Sequence, residues 1–543
     1  MYIPFVLAFL CLPIWFSLGD HSFNGRSGAR YGIVAQEMAT SNDWVVPRFL
    51  GHPHLTKPPL IYWLEAGSIE LFGQSYYAVR IPSAISGTLV IFLLYWFASR
   101  FYSTRAALFA CAIYAIMPMT IMPARMTVTD SLLNLSWFLA LAGGYLVRKE
   151  PERRRWVILF WVGSSLGMLT KGPVMFIPMG MVFVWWWATG QRTLRARQLF
   201  KYCGFTLLSM LPVLIWALVV IVEQPESLRI WMHETVARAV GQGDHSRPIW
   251  FFIPVLFAGC FPASAMLLLP GINLRWKDAW RNFISGSLIG YLGWACIAPF
   301  VVYSLISGKL PSYLLPICAP LALLSATVLE RWCTSQDPAA AAGRRLPEVR
   351  WGLMVGTLLF LASGVLVVGR LYGFESTLWF VALAVAFLVS ILLVVFWRNL
   401  HRRTFLLAAF FGTWILGWIG LEEVEDIVLT DMSYVAVAQR TFGESGWEGA
   451  TAEYRLNDAM VFWDQDTPIE IYDDPEQLQA RVQSHPDEPL LVLTRGVEWE
   501  AIKDLQPSLY QKGQLVEHWH QWPGAPERYL VVFHWDSGAE LEE

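Results

Sequence analysis

The sequence predicts an α-helical polytopic membrane protein of about thirteen transmembrane helices, followed by a small soluble α/β domain. Three observations carry that reading. The 543 residues are 55% hydrophobic and only 15% charged, with a mean hydropathy of +0.43, far from the balance of a soluble globular chain. Apolar runs of roughly 17 to 23 residues, the length that crosses a bilayer, recur up to residue 421. After residue 422 the texture changes: acidic residues enter in "EEVED", and short strand-like runs alternate with polar helical ones.

The first run, 2–18, sits where a signal peptide would, but it has no basic n-region and no small-residue cleavage site. It is therefore expected to be a retained first helix. A long polar and aromatic segment, 19–80, follows, within which "YGIVAQEMAT" has the near-helical apolar spacing of a segment lying along the membrane surface. Further spans are expected at 81–99, 105–123, 127–147, 156–169, 173–189, 202–222, 249–271, 283–304, 313–330, 352–370, 376–397 and 404–421. The two runs 156–169 and 173–189 are short and separated only by "TKGP", so one broken element is the alternative to two helices.

Basic residues test this assignment, because cytoplasmic loops collect Lys and Arg. Arg100 and Arg105, the cluster Arg148 to Arg155, Arg192 to Lys201, Arg275 to Arg281, Arg331 to Arg350, and Arg398 to Arg403 fall in alternate loops. That parity places the N-terminus inside and, with an odd number of spans, the C-terminus outside. The expected organisation is a transmembrane domain over 1–421 with a long first outer loop at 19–80, and a periplasmic α/β domain over 422–543. In the latter, "AMVFW", "IEIYD", "LLVLT" and "YLVVFHW" read as strands and "PEQLQARVQ" as a helix.

Other classes are excluded or unsupported. The seven cysteines stand singly, all but Cys333 within apolar runs, which implies neither a disulfide framework nor a Cys-x-x-Cys metal site. There is no internal repeat and no nucleotide-binding glycine loop. The 28 tryptophans and 33 phenylalanines suit interface anchoring and apolar grooves.

The chemistry is expected where charge meets kinked helix ends on the outer face. Lys57 in "TKPPLIYW", Lys171 in "LTKGP" and Lys309 in "SGKLPSYLLP" share one context, a lysine flanked by proline or glycine at the outer end of an apolar run. Proline frees backbone groups there, which is tolerated where the backbone lines a cavity. Arg30, Arg125, Asp130, His233 and His245 lie on the same side. Several cations converging on one cavity call for an anionic ligand, and Tyr62, Trp63 and Tyr313 could flank an apolar chain or a sugar ring. A lipid phosphate carrying a cargo matches that list. Arg125 is a candidate structural partner for Asp130, and His52 with His54 forms an H-x-H in a loop that lacks further clear metal ligands.

The order "ARYGIVAQEMATSNDWVVPRFLGHPHLTKPPLIYW", "ARMTVTD", "LTKGP", "GQGDHSRPIWFFIPVL" and "SGKLPSYLLPICAPLALL" resembles the bacterial C-type membrane glycosyltransferases, nearest to the lipid A aminoarabinose transferases and, more distantly, to protein O-mannosyltransferases. The resemblance covers nearly the whole chain. It implies the C-type glycosyltransferase fold, a plasma-membrane location, and inverting transfer of a sugar from a polyprenyl-phosphate donor to a lipid A-like or other glycolipid or protein acceptor. By the same resemblance Arg30, Tyr31, Lys57, Lys171, Lys309 and Tyr313 handle the donor, and His245 is associated with a divalent metal.

Two departures stand out. Ser27 and Gly28 occupy positions before "RY" where the family usually has an acid, and Thr56 occupies the position before "KPP". Asp20, at the outer end of the first span, is therefore the first candidate catalytic carboxylate, with Asp130 the second and Glu37 and Asp43 in the same loop and Asp244 elsewhere as further acids, and undiminished turnover of Asp20→Asn would remove Asp20. A flippase or transporter for a lipid-linked sugar, or a silent binder of one, would need the same cationic cavity without a base. Transporters usually show paired halves, and no repeat is visible here.

Overall fold

The structure, a computed structural model, describes residues 2–20, 25–49, 51–189, 192–232, 247–266, 276–334, 450–454, 470–472, 474–520 and 527–533. It divides into two compact units, one of 1–18 with 35–418, the other of 19–34 with 419–543.

In the first unit, α1 (Ile3–Trp15) turns Phe5, Phe9 and Leu12 outward, the surface a lipid-facing helix presents, and buries Leu7, Leu10, Cys11 and Ile14. Helix α2 (Gly25–Ser41), of which only the residues from 35 onward belong to this unit, contains "YGIVAQEMAT", so the near-helical spacing corresponds to a helix. A two-stranded hairpin follows, β1 (Arg48–Phe49) against β2 (His52–Pro53). Helix α3 (Leu60–Phe72) starts directly after "TKPP" and stops at Gly73, whose φ of 80° is left-handed and open to glycine. Helices α4 (Tyr76–Ala98) and α5 (Thr104–Ala115) are each opened by a serine hydroxyl, Ser75 and Ser103, accepting from the backbone N–H three residues on. Helix α6 (Pro118–Arg125) is bent 62° from α5, with Pro118 in its first turn, so the expected span 105–123 is a broken one.

Helix α7 (Thr129–Lys149) pairs closely with α8 (Arg154–Lys171). Two glycines permit that approach. A Cβ on Gly143 would lie 2.5 Å from the Phe160 backbone nitrogen, and one on Gly163 would lie 2.6 Å from that of Ala140. Small residues at such a seam gain backbone-to-backbone packing where no hydrophobic effect drives helices together. Beyond α8, a 3-10 turn at Gly172–Met175 leads into α9 (Phe176–Thr189), so 156–189 is one run broken at "KGP", the alternative left open above.

Helix α10 (Arg192–Glu223) follows. The described part of the expected span 249–271, up to residue 266, is instead fragmented into a 3-10 turn, α11 (Phe252–Gly259) and α12 (Ala263–Met266). Then come α13 (Trp276–Ile284), α14 (Leu288–Leu305), a 3-10 turn at Pro311–Leu314, and α15 (Leu315–Thr334). Among the described residues five helices are long and apolar enough to cross a membrane, or six if the α5–α6 pair counts as one. The expectation of thirteen is reached neither here nor contradicted outside, because 352–370, 376–397 and 404–421 lie beyond the described residues. Several expected spans are shorter or bent, since proline and glycine break them.

The second unit carries a five-stranded sheet in the order β4-β3-β5-β7-β6. The strands are β3 (Ala450–Tyr454), β4 (Glu470–Tyr472), β5 (Leu490–Arg495), β6 (Gln514–His520) and β7 (Glu527–Phe533). Strand β3 runs parallel to β4 and β5, while β7 is antiparallel to β5 and β6. Helix α16 (Pro475–Ser484), capped by the Asp474 carboxylate, matches "PEQLQARVQ", and α17 (Gly496–Leu505) and α18 (Pro507–Lys512) follow. The central strand β5 is buried along Leu490–Thr494, which is why "LLVLT" reads as an unbroken apolar run. "AMVFW" lies outside the described residues.

Candidate functional site

Three breaks in the helices of the first unit come together. Lys171 ends α8, and its ammonium lies 3.0 Å from Oδ1 of Asp130 in the first turn of α7. A carboxylate there faces the partial positive charge of the helix N-terminus as well as the cation. The two side chains are only 10% and 16% exposed, so removing either would strand a charge in a poorly solvated place, at about 3 kcal/mol. The Lys171 ammonium also lies 5.6 Å from the ring centroid of Tyr313, in the 3-10 turn of "SGKLPSY". Tyr303 packs on Tyr313 at 5.1 Å, and Trp137 packs on Tyr303 at 6.5 Å, backing the site with rings.

The "TKPP" corner abuts the same place. A Cβ on Gly172, whose φ is 61°, would sit 3.7 Å from Cγ of Pro58, so the residues following Lys57 and Lys171 meet. Lys57 Nζ donates to the Thr56 carbonyl at 3.2 Å, and Thr56 Oγ1 lies 2.9 Å from Nε2 of His54. Lys309 is almost fully buried, and its ammonium donates to the carbonyls of Arg247, at 3.0 Å, and Ile306.

The loop bearing His54 is held from three sides. Trp63, Trp216 and Trp231 donate their indole N–H groups to the carbonyls of Trp44, Val45 and Leu55, at 2.6, 2.9 and 2.7 Å. Val46, Leu55, Trp216 and Val220 form an apolar cluster beneath it. Each indole removes an otherwise unmet loop carbonyl from apolar surroundings, which fixes the loop without regular structure.

The other candidates fall elsewhere. Asp130 pairs with Lys171, not with Arg125; the Arg125 guanidinium instead donates to the carbonyls of Pro13 and Phe16 at the end of α1, an ordinary answer to orphaned C-terminal carbonyls. Tyr62 is wholly buried in α3, away from any open surface. Asp20 is an exposed residue of the bend after α1. Arg30 and Tyr31 are half-buried on α2, within the stretch 19–34 that belongs to the second unit. His233, Asp244 and His245 lie outside the described residues. No group of three or more His, Cys, Asp or Glu residues that could hold a metal occurs among the described residues.

Sequence reasoning missed Tyr303, the tryptophan clamps and the His54–Thr56 pair. The only local signal for the pair was the unusual polar run "HPHLT" beside a lysine and two prolines. Glu65, the glutamate that closes "HLTKPPLIYWLE", is fully buried in α3, and its carboxylate has no hydrogen-bond partner among the described residues.

Comparison with known proteins gives this geometry its context. The family model described as dolichyl-phosphate-mannose-protein mannosyltransferase matches residues 56–216, which hold the "TKPP" corner, Asp130 and Lys171. An undecaprenyl phosphate-α-4-amino-4-deoxy-L-arabinose arabinosyl transferase of Edwardsiella ictaluri is 31% identical over 344 residues, 61% of this chain and 60% of its own length. The transferase of that name from Pseudomonas aeruginosa is 30% identical over 348 residues, 62% of this chain and 61% of its own length. The chain thus spans about three fifths of the curated relatives it matches. In fold, the crystal structure of ArnT from Cupriavidus metallidurans bound to undecaprenyl phosphate is similar over 98% of both chains, with a TM-score of 0.72 at 20% identity.

Proposed function

We propose, starting from a chain that has the fold of the bacterial C-type membrane glycosyltransferases and resembles the aminoarabinose transferase and protein mannosyltransferase superfamily, that it transfers a sugar from a polyprenyl-phosphate donor to a lipid A-like acceptor. The reaction takes place at the outer face of the bacterial inner membrane. The donor is a polyprenyl phosphate because the cations sit at kinked helix ends beside rings, where an anionic headgroup on an apolar chain finds both partners it needs.

The observation that carries this reading is the meeting of the Lys171–Asp130 pair, the Tyr313 ring and the "TKPP" corner. As the bond from the anomeric carbon to the phosphate breaks, negative charge grows on the phosphate oxygens. Ammonium groups already in place, Lys57 and Lys171, stabilise that charge without reorganising. Asp130 acts through Lys171, holding its ammonium oriented, and Lys309 orders the turn that carries Tyr313. The acceptor hydroxyl attacks the opposite face of the sugar, which inverts the anomeric centre. Residues 1–421 supply the membrane domain and 422–543 a periplasmic domain, with the N-terminus in the cytoplasm.

Mass spectrometry of lipid A and other envelope glycolipids from cells with and without the gene tests the reading. A sugar present only with the gene, and absent when Lys171→Met replaces the wild type, is the expected result. An unchanged envelope with lipid-linked sugar accumulating on one leaflet would instead point to a flippase.

A further inference from the structure

The site described so far has cations for a leaving phosphate and no free base. Its carboxylate, Asp130, is already engaged by the Lys171 ammonium at 3.0 Å. The bend that supplies Lys57 carries another group: Thr56 Oγ1 lies 2.9 Å from His54 Nε2, both side chains half-buried. We propose that Thr56 and His54 form the proton relay for the acceptor hydroxyl, with His54 as the terminal proton acceptor. This rests on the transferase reading above.

Three features of the molecule suit His54 to that task. Its ring is held by Phe49 at 5.8 Å between centroids, and its backbone N–H donates to the Pro47 carbonyl at 2.7 Å. Its loop is pinned by the indoles of Trp63, Trp216 and Trp231, so Nε2 keeps its place against Thr56. The adjacent residue, Lys57, belongs to the corner that meets Gly172, so one bend supplies both a phosphate-neutralising cation and a proton acceptor. Displacement at a sugar carbon needs both within a few ångströms.

With the imidazole proton on Nδ1, Nε2 accepts from the Thr56 hydroxyl, and Thr56 Oγ1 in turn accepts from the acceptor hydroxyl. As the acceptor oxygen bonds to the anomeric carbon, its proton passes to Thr56 while the Thr56 proton passes to His54. The carbon–phosphate oxygen bond breaks with its electron pair on the phosphate. The products are the glycosylated acceptor, free polyprenyl phosphate and an imidazolium that returns its proton to solvent.

The relay requires neutral imidazole, so turnover is present where the imidazole is deprotonated and is lost as falling pH protonates it. Charged and titratable groups on the elements about this loop are Glu37, the Asp43–Arg48 pair, His52, Lys57, the buried Glu65 and the Glu70 of α3, the Lys171–Asp130 pair, and the exposed Glu223, Glu226 and Arg229 on the segments carrying Trp216 and Trp231.

The test uses the full chain in proteoliposomes, with undecaprenyl phosphate-4-amino-4-deoxy-L-arabinose as donor and lipid A as acceptor, from acid pH below the carboxylate range up to neutral and alkaline pH. His54→Gln and Thr56→Val are each expected to lower kcat by about 10²- to 10⁴-fold with KM for the donor little changed. The double variant should be no worse than either single. His54→Gln should also flatten the acidic limb, and His54→Gln/Thr56→Glu should restore turnover with a limb moved toward the carboxylate range, about pH 4–5. Undecaprenyl phosphate photo-crosslinking in each variant shows whether the fold survives. His54→Gln with wild-type kcat and pH profile overturns the relay alone, as does a loss of donor crosslinking equal to the loss of turnover. No transfer by the wild type, despite crosslinking, overturns both the relay and the transferase reading.

Discussion

At the residue scale, Lys171 shows how one side chain can be set by partners remote in sequence. Its ammonium meets a carboxylate 41 positions earlier and a tyrosine ring far later in the chain. Lys171→Met is expected to abolish transfer and to cost about 3 kcal/mol of stability, by stranding Asp130 in a poorly solvated place. The double change Lys171→Met/Asp130→Asn should recover part of that stability without activity, which thermal unfolding in detergent would show as a coupling between the two sites. At Tyr313, Phe should be tolerated, because the ring face is what the cation sees, whereas Ala should weaken donor binding by about 1 kcal/mol in a titration with undecaprenyl phosphate. The three lysines could be singled out from the sequence because proline and glycine flank each of them. Their partners could not, since nothing local in "ARMTVTD" distinguishes a partner Arg125 from a partner Lys171. Arg125 is nearer in sequence, yet it lies at the end of a short bent helix, and its guanidinium is taken by the carbonyls of Pro13 and Phe16.

At the scale of elements, the seam between α7 and α8 depends on Gly143 and Gly163. Gly163→Leu would push a side chain into the α7 backbone, so the helices must separate and carry Asp130 away from Lys171. Loss of both thermal stability and transfer is expected, while Gly180→Ala, where a Cβ meets nothing within 4 Å, should leave both unchanged. Trp231→Phe keeps the ring against Trp216 and removes only the hydrogen bond to the Leu55 carbonyl. About 1 kcal/mol of stability should go, with faster hydrogen exchange confined to the loop over 44–55. The caps at Ser75 and Ser103 and the break before Pro118 are local chemistry, yet reading by apolar run length alone starts one span at 81 and carries 105–123 through the break. The expected span 249–271 was not readable as fragments. Mean apolarity over a window of that length does not register that the chain breaks at Cys260 and Pro262.

At the scale of the molecule, two units of different chemistry share one chain. In the second unit Arg481 is mostly buried and binds Glu470 at 2.8 Å and Glu488 at 2.9 Å. Arg481→Ala should therefore lower this unit's stability by about 2 kcal/mol, read as earlier loss of its sheet signal on heating. Sidedness has its own measurement: single cysteines replacing Arg105 and Gln483 should differ in reaction with a membrane-impermeant maleimide on intact spheroplasts, the second labelling and the first not. Apolar run length and the need to pair every peptide group inside a bilayer are local requirements, and they suffice to announce a helical protein of apolar spans with a sheet-bearing end. Proline beside lysine is equally local, so the corners where chemistry sits could be read along the chain. Which corners meet, which acid is taken by which cation, and that His54 rests against Thr56 are matters of side chains brought together through space. They depend on how closely helices such as α7 and α8 pack, and no single stretch of residues carries that information.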